Sequence, residues 1–267
     1  MIRQTKTMPY LLAPNDPSAS FPRVNEALTE PDGLLAVGGD LGVKRLEAAY
    51  RQGIFPWYSE GDPILWWSPD PRTVLIPDEV RISRSLGKVL RKGSFEVTMD
   101  RDFPAVINAC ARPRDDSGGT WLVPEMISAY RALHVRGIAH SVEVWKDGEL
   151  AGGLYGVAIG GAFFGESMFT RADNASKVAL VHLCQRLTGW GFGLIDCQVL
   201  TGHLLRMGAR QIPRTSFISL LEQLRDRPAP TGSWDDNGLA RPLAIGTTAT
   251  SPLTAAAPSE TGVGDAS

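Results

Sequence analysis

Residues 152–169 read GGLYGVAIGGAFFGESMF, Asn174 then opens a helix, and residues 195–199 read IDCQV. Glu166 stands in a run otherwise made of aromatic and small residues, and Asp196 and Gln198 follow on a second strand, one residue apart. Alternation along a strand puts positions i and i+2 on one face, so Asp196 and Gln198 are expected to point together. Polar groups in apolar strands are costly unless they are partnered or used. Taken singly, each of the three could merely hydrogen-bond in a core or brace a loop. Three such groups on neighbouring strands, beside glycines that permit close backbone approach, point to a specific site.

Strands are expected at Ala139 to Trp145, Leu150 to Ile159 and Ala162 to Phe169, with KDGE and GG as hairpin turns between them. Before them, Met126, Tyr130 and Leu133 mark a helix ended by Gly137. After them come a helix from Ala175 to about Thr188 capped by Asn174, a strand at Leu194 to Val199, a short helix at Gly202 to Met207 and a last helix at Ser216 to Leu224. That order is the one of the acyl-CoA N-acetyltransferase (GNAT-like) fold. The N-terminal part is different, a run of short elements broken by Pro and Gly. Val43 to Gln52 carries apolar residues at 43, 46, 49 and 50, a helical face that stops at Gly53. Ile82 to Lys92 reads as an amphipathic helix, with Leu86, Val89 and Leu90 on one side and Arg84, Lys88, Arg91 and Lys92 on the other; Phe103, Val106, Ile107 and Cys110 form another stripe. The expected class is α+β. A flexible N-terminus (1–20) precedes a smaller N-terminal α/β domain (21–72), and a GNAT-like domain (73–227) holds the basic helix 82–92. From Pro228 the chain is Pro, Ala, Thr, Gly and Ser with almost no large apolar residue except Trp234, which predicts a disordered tail over 228–267.

Composition narrows the class. Of the 267 residues, 43% are hydrophobic, enough for a sizeable core, yet no run approaches the roughly 20 apolar residues that span a bilayer. The first residues lack an apolar segment followed by small residues, so no signal peptide is expected. Cys110, Cys184 and Cys197 form no CxxC pair, which fits a reducing cytoplasm and argues against a disulfide framework or a zinc site. His134, His140, His182 and His203 show no metal-binding spacing, so neither metal nor cofactor is expected. Nothing demands more than a monomer. The net charge of −2 argues against nucleic acid, but the stretch from Arg72 to Lys92 sets six basic residues against Asp78 and Glu79. A local patch suffices to bind a phosphate backbone.

An acetyltransferase of this fold cradles pyrophosphate on a glycine-rich loop at a helix N-terminus. Here the junction is FTRADNASK (169–177), which has no glycine, so a CoA-type cradle is not expected. Trp57, Trp66 and Trp67 could be core or cap residues. Set beside clustered Arg and Lys, they also make the pattern that stacks a base and grips phosphates.

EPDGLLAVGGDL (30–41), AYRQGIFPWY (49–58), PILWWSPDPR (63–72), GTW (119–121), AHSVEVW (139–145), GGLYGV (152–157), FFGESMF (163–169), NASK (174–177), IDCQV (195–199) and GA (208–209) with a nearby IPR (212–214) closely resemble the bacterial leucyl/phenylalanyl-tRNA–protein transferases. The resemblance runs from about Phe21 to Leu224. It implies transfer of Leu or Phe from Leu-tRNA or Phe-tRNA to proteins with N-terminal Arg or Lys. Because an apolar pocket discriminates weakly between similar side chains, Met is expected as a poorer donor, and the composition predicts a cytoplasmic protein without membrane attachment. By the same resemblance Trp57 and Trp121 meet the terminal adenosine of the tRNA. Leu154, Phe163, Met168, Leu180 and Ile195 line the donor side-chain pocket, with Leu154 where the family often has Met. The basic helix (Arg84, Lys88, Arg91, Lys92) takes the tRNA backbone. Asp196 and Gln198 form the catalytic pair. The chemistry of a lone carboxylate, rather than the resemblance, gives Glu166 the holding of a cationic group, either the donor's amino group or the acceptor's basic side chain.

Overall fold

The computed structural model describes residues 8–16, 18–112 and 122–235. Two sheets organise the chain. The smaller runs in the order β1 (Tyr10–Leu12), β2 (Leu34–Gly38), β4 (Leu65–Trp67), β3 (Phe55–Pro56), with α1 (Val43–Tyr50) between β2 and β3. The larger is built from β5 (Arg72–Leu75), β6 (Glu96–Met99), β7 (Ala139–Lys146), β8 (Glu149–Ile159), β9 (Ala162–Thr170), β10 (Leu194–Gln198) and β11 (Arg210–Ile212). Its spatial order is β11-β5-β10-β9-β8-β7-β6, antiparallel throughout except that β9 and β10 run parallel. The helices are α2 (Arg84–Lys92), α3 (Phe103–Cys110), α4 (Pro124–Val135), α5 (Ala175–Gly189), α6 (Gly202–Arg206) and α7 (Arg214–Leu224). The architecture is α+β, with the helix, antiparallel strands, helix, parallel strand and helix in the order expected.

Local chemistry explains several boundaries. Ser83 Oγ accepts from the Leu86 amide, 3.2 Å away, at the start of α2, and Gly93 ends that helix in the left-handed region. Asp102 caps α3 through the Ala105 amide, with Pro104 in its first turn. Asn174 does occupy the N-cap position of α5, but at φ 69° its side chain makes no cap. In the left-handed conformation the carboxamide turns away from the first-turn amides, and Asn174 Oδ1 accepts from Lys177 Nζ instead.

Other expectations need correction. β5 begins at Arg72, the last residue assigned to the N-terminal domain, yet it pairs with β10 and β11 in the large sheet. It was hidden behind the Pro-rich run before it. One apolar cluster draws on both parts of the chain, from Leu35, Leu46 and Trp66 to Tyr130, Phe164 and Phe217. The tail does not begin at Pro228. Trp234 is 3% exposed in a second apolar cluster with Phe163, Leu183 and Phe192, and Ala229 packs against that cluster. A single large aromatic can anchor a short segment whose average composition suggests none; residues 236–267 lie outside the described residues. Among the described residues no helix is long and apolar enough to cross a membrane.

Candidate active site

Two bulges make the site. On β9, Gly165 pairs with Gly156 and Ser167 with Tyr155, which leaves Glu166 as the extra residue. On β10, Asp196 pairs with Val74 and Gln198 with Thr73, which leaves Cys197 extra and holds Gln198 at φ 59°. A bulge breaks the two-residue alternation and re-aims side chains. The expectation that Asp196 and Gln198 simply share a face is corrected on that ground, because their side chains have different partners. Asp196 is fully buried, and both its oxygens take bonds from Arg72, at 2.8 Å from Nε and 2.6 Å from Nη2. Its Oδ1 also accepts from the Gln198 amide at 2.9 Å, which pins the second bulge. Gln198 sends its own side chain to Glu166, with Nε2 donating to Oε1 at 2.9 Å.

Glu166 is the centre of a proton-sharing cluster that sequence reading did not anticipate. Tyr50 of α1 reaches Oε1 at 2.8 Å, Tyr130 of α4 reaches Oε2 at 2.7 Å, and the two phenol oxygens lie 2.7 Å apart. Three oxygen–oxygen contacts need three hydrogens, and two phenols carry only two. With Tyr50 donating to Oε1 and Tyr130 to Oε2, the contact between the two phenols lacks a hydrogen of its own while Glu166 is ionised, and protonation of Glu166 adds the third. Burial, assisted by the nearby Asp196 charge, pushes Glu166 up to about 7, against the opposing bonds from Tyr130, Tyr50 and Gln198. Burial likewise raises both phenols well above their ordinary value. The site therefore holds a carboxyl group that exchanges its proton near neutrality. Both tyrosines lie on stripes read as helix cores, and the clue available was a hydroxyl carried into an otherwise apolar face.

Glu166 and Gln198 line a cavity of about 1100 Å3. All five residues expected for an apolar pocket, Leu154, Phe163, Met168, Leu180 and Ile195, line the same cavity. Trp57 is on its wall too, 48% exposed and edge-on to Trp67 with ring centroids 5.8 Å apart. Trp66 is instead core, fully buried with Nε1 donating to the Gly38 carbonyl. Within the Trp cluster, Trp66 is thus a core ring, Trp67 donates from Nε1 to the Trp57 carbonyl, and Trp57 stands at the cavity wall. Asp196 is not part of the lining. Arg84, Lys88, Arg91 and Lys92 are exposed on α2 and do not line the cavity either, so the basic helix is a separate surface. Trp121 lies outside the described residues.

Residues 74–222 match the family described as leucyl/phenylalanyl-tRNA protein transferase, and residues 39–70 match its N-terminal domain. A leucyl/phenylalanyl-tRNA–protein transferase of Nitrosomonas europaea is 61% identical over 214 residues, covering 80% of this chain and 91% of the relative. One from Azotobacter vinelandii is 63% identical over 217 residues, covering 81% of this chain and 96% of the relative. Among solved structures, a GCN5-related N-acetyltransferase from Kribbella flavida aligns with a TM-score of 0.33 at 13% identity, over 67% of this chain and 63% of that one.

Proposed function

This chain belongs to the leucyl/phenylalanyl-tRNA–protein transferase family and is an aminoacyltransferase, and on that premise we propose that it moves Leu or Phe, and Met less well, from the matching aminoacyl-tRNA to proteins with N-terminal Arg or Lys, so feeding the N-degron degradation pathway. Its donor is a product of translation's own machinery, which places the work in the cytoplasm. The observation that carries the reading is the Glu166–Gln198 pair on the wall of the cavity that Leu154, Phe163, Met168, Leu180 and Ile195 also line. An apolar wall of this kind suits unbranched and aromatic donor side chains, and discrimination by a methyl group is worth only about 1–3 kcal/mol.

The chemistry asks little of the protein. The tRNA ester is an activated acyl donor, and an α-amine with a pKa near 7.7–8.0 is partly neutral at pH 7. The amine nitrogen attacks the ester carbonyl, the new amide bond forms, the bond between the acyl carbon and the ribose oxygen breaks, and the amine's surplus proton goes to that ribose oxygen. Positioning and proton removal are the tasks left. With Gln198 Nε2 committed to Glu166, the carboxamide oxygen is available to accept a hydrogen from the attacking amine. Glu166, near neutrality, offers a negative charge to an ammonium group. Asp196 and Arg72 act behind Gln198 as positioning residues, fixing the bulge that carries it. Trp57, together with Trp121, stacks the terminal adenosine, and Arg84, Lys88, Arg91 and Lys92 take tRNA phosphates.

Incubating the protein with labelled Leu-tRNA and a peptide beginning with Arg is expected to label the peptide; an unlabelled peptide, with the tRNA ester intact, would refute transfer. Charge reversal at Arg84 and Lys88 is expected to weaken tRNA affinity and to lower the slope of log affinity against log salt by about 0.7–0.9 per lost phosphate contact. An unchanged slope would remove α2 from the interface.

A further inference from the structure

The large apolar residue left over from the C-terminal segment is Trp234, and its surroundings give it a task. Its indole stacks on His140 with centroids 3.6 Å apart and planes 2° from parallel, and it also meets Trp190 at 4.9 Å and Phe163 at 5.9 Å. The Trp234 amide donates to Asp100 Oδ2 at 2.7 Å, the oxygen that also meets His140 Nδ1. Two residues earlier the backbone docks closely: a Cβ on Gly137 would fall 2.7 Å from Gly232 Cα. The segment is therefore seated at several points.

Phe163 connects this seat to the cavity. Its ring lies over Gly156, where an added Cβ would come within 2.5 Å of the ring. Gly156 pairs with His140 across β7 and β8. Phe163 over Gly156 and Trp234 over His140 are thus side by side on one face of the sheet, with ring centroids 5.9 Å apart. Phe163 also lines the cavity.

We infer that Trp234 is a positioning residue for donor selection: it fixes the Phe163 wall and thereby the size of side chain the cavity accepts. The inference rests on the reading of the cavity as the donor pocket. A smaller residue at 234 lets Phe163 shift away from the cavity, which favours the larger Phe donor over Leu.

The test is the ratio of kcat/KM for Phe-tRNA to that for Leu-tRNA, with folding checked by near-UV circular dichroism. Trp234→Leu is expected to raise this ratio by about fivefold or more, within the range that pocket size controls. Trp234→Phe, which keeps a ring, is expected to hold it near the wild-type value. In a Phe163→Leu background the change at 234 should have little further effect, since coupled neighbours do not act additively. If Trp234→Leu does not fold, Trp234→Met carries the same comparison. A folded variant that slows both donors equally, or the same effect in both backgrounds, overturns the inference while leaving the pocket reading intact. A wild-type protein that transfers neither donor overturns the pocket reading itself.

Discussion

Asp196→Ala is expected to lose about 3–5 kcal/mol of folding stability, because it strands a buried guanidinium without its counter-charge. Arg72 and Asp196 are both fully buried and joined by two short bonds. Arg72 lies 4.8 Å from the centre of the Phe55 ring and 4.6 Å from that of Phe217, so no solvent is at hand to take over its charge. The same substitution removes the acceptor for the Gln198 amide and frees the bulge at Cys197. Transfer activity then falls through a displaced Gln198, even under conditions where the variant stays folded. Urea unfolding measures the first effect. Replacing both partners, Arg72→Met with Asp196→Leu, is expected to recover most of the stability, since a buried pair exchanged for apolar residues is often neutral. It should not recover transfer, because neither new side chain can hold the Gln198 amide. A single Asp196→Ala variant within about 1 kcal/mol of wild type would contradict the buried pair.

How far the sequence carries is clear from particular residues. The helix stripes and the three long hairpin strands were legible because apolar periodicity and turn residues agreed over many positions. Leu154, Phe163, Met168, Leu180 and Ile195 were assembled by resemblance, and the fold brings them to one cavity. Tyr50, Tyr130 and Arg72 were not legible, because each sits in a pattern with an ordinary explanation and acquires its partner from a distant part of the chain. Tyr50 and Glu166 are 116 residues apart in sequence, and Arg72 and Asp196 are 124 apart. The alternation rule failed at Cys197, where a bulge inserts one residue. Average composition misplaced Trp234, since one buried indole outweighs several small neighbours. Asn174 stands at a helix start, as its residue type predicts, but does not cap it, because a left-handed backbone conformation does not show in the residue name.

Glu166, shared among Tyr50, Tyr130 and Gln198 at the cavity wall, is proposed to hold an ammonium group of the substrates beside the Gln198 oxygen that takes the attacking amine's hydrogen. Its proton also affects stability. The unfolded chain releases it near the ordinary 4.5, whereas the folded protein keeps it until about 7. Between those values the folded state binds the extra proton, so stability falls as pH rises across the window, by up to about 3 kcal/mol, and changes little from this source above it. Glu166→Gln keeps the shape, removes the titration and should flatten that decline. The decisive measurement is single-turnover transfer of Leu from charged tRNA to a peptide with N-terminal Arg, followed from pH 6 to 9 for wild type and Glu166→Gln. Wild type is expected to rise through about pH 7. Glu166→Gln should be slower by at least about tenfold and retain only the later rise set by the acceptor amine near 7.7–8.0, with tRNA affinity unchanged. A Glu166→Gln protein with the wild-type rate and pH profile would contradict the claim.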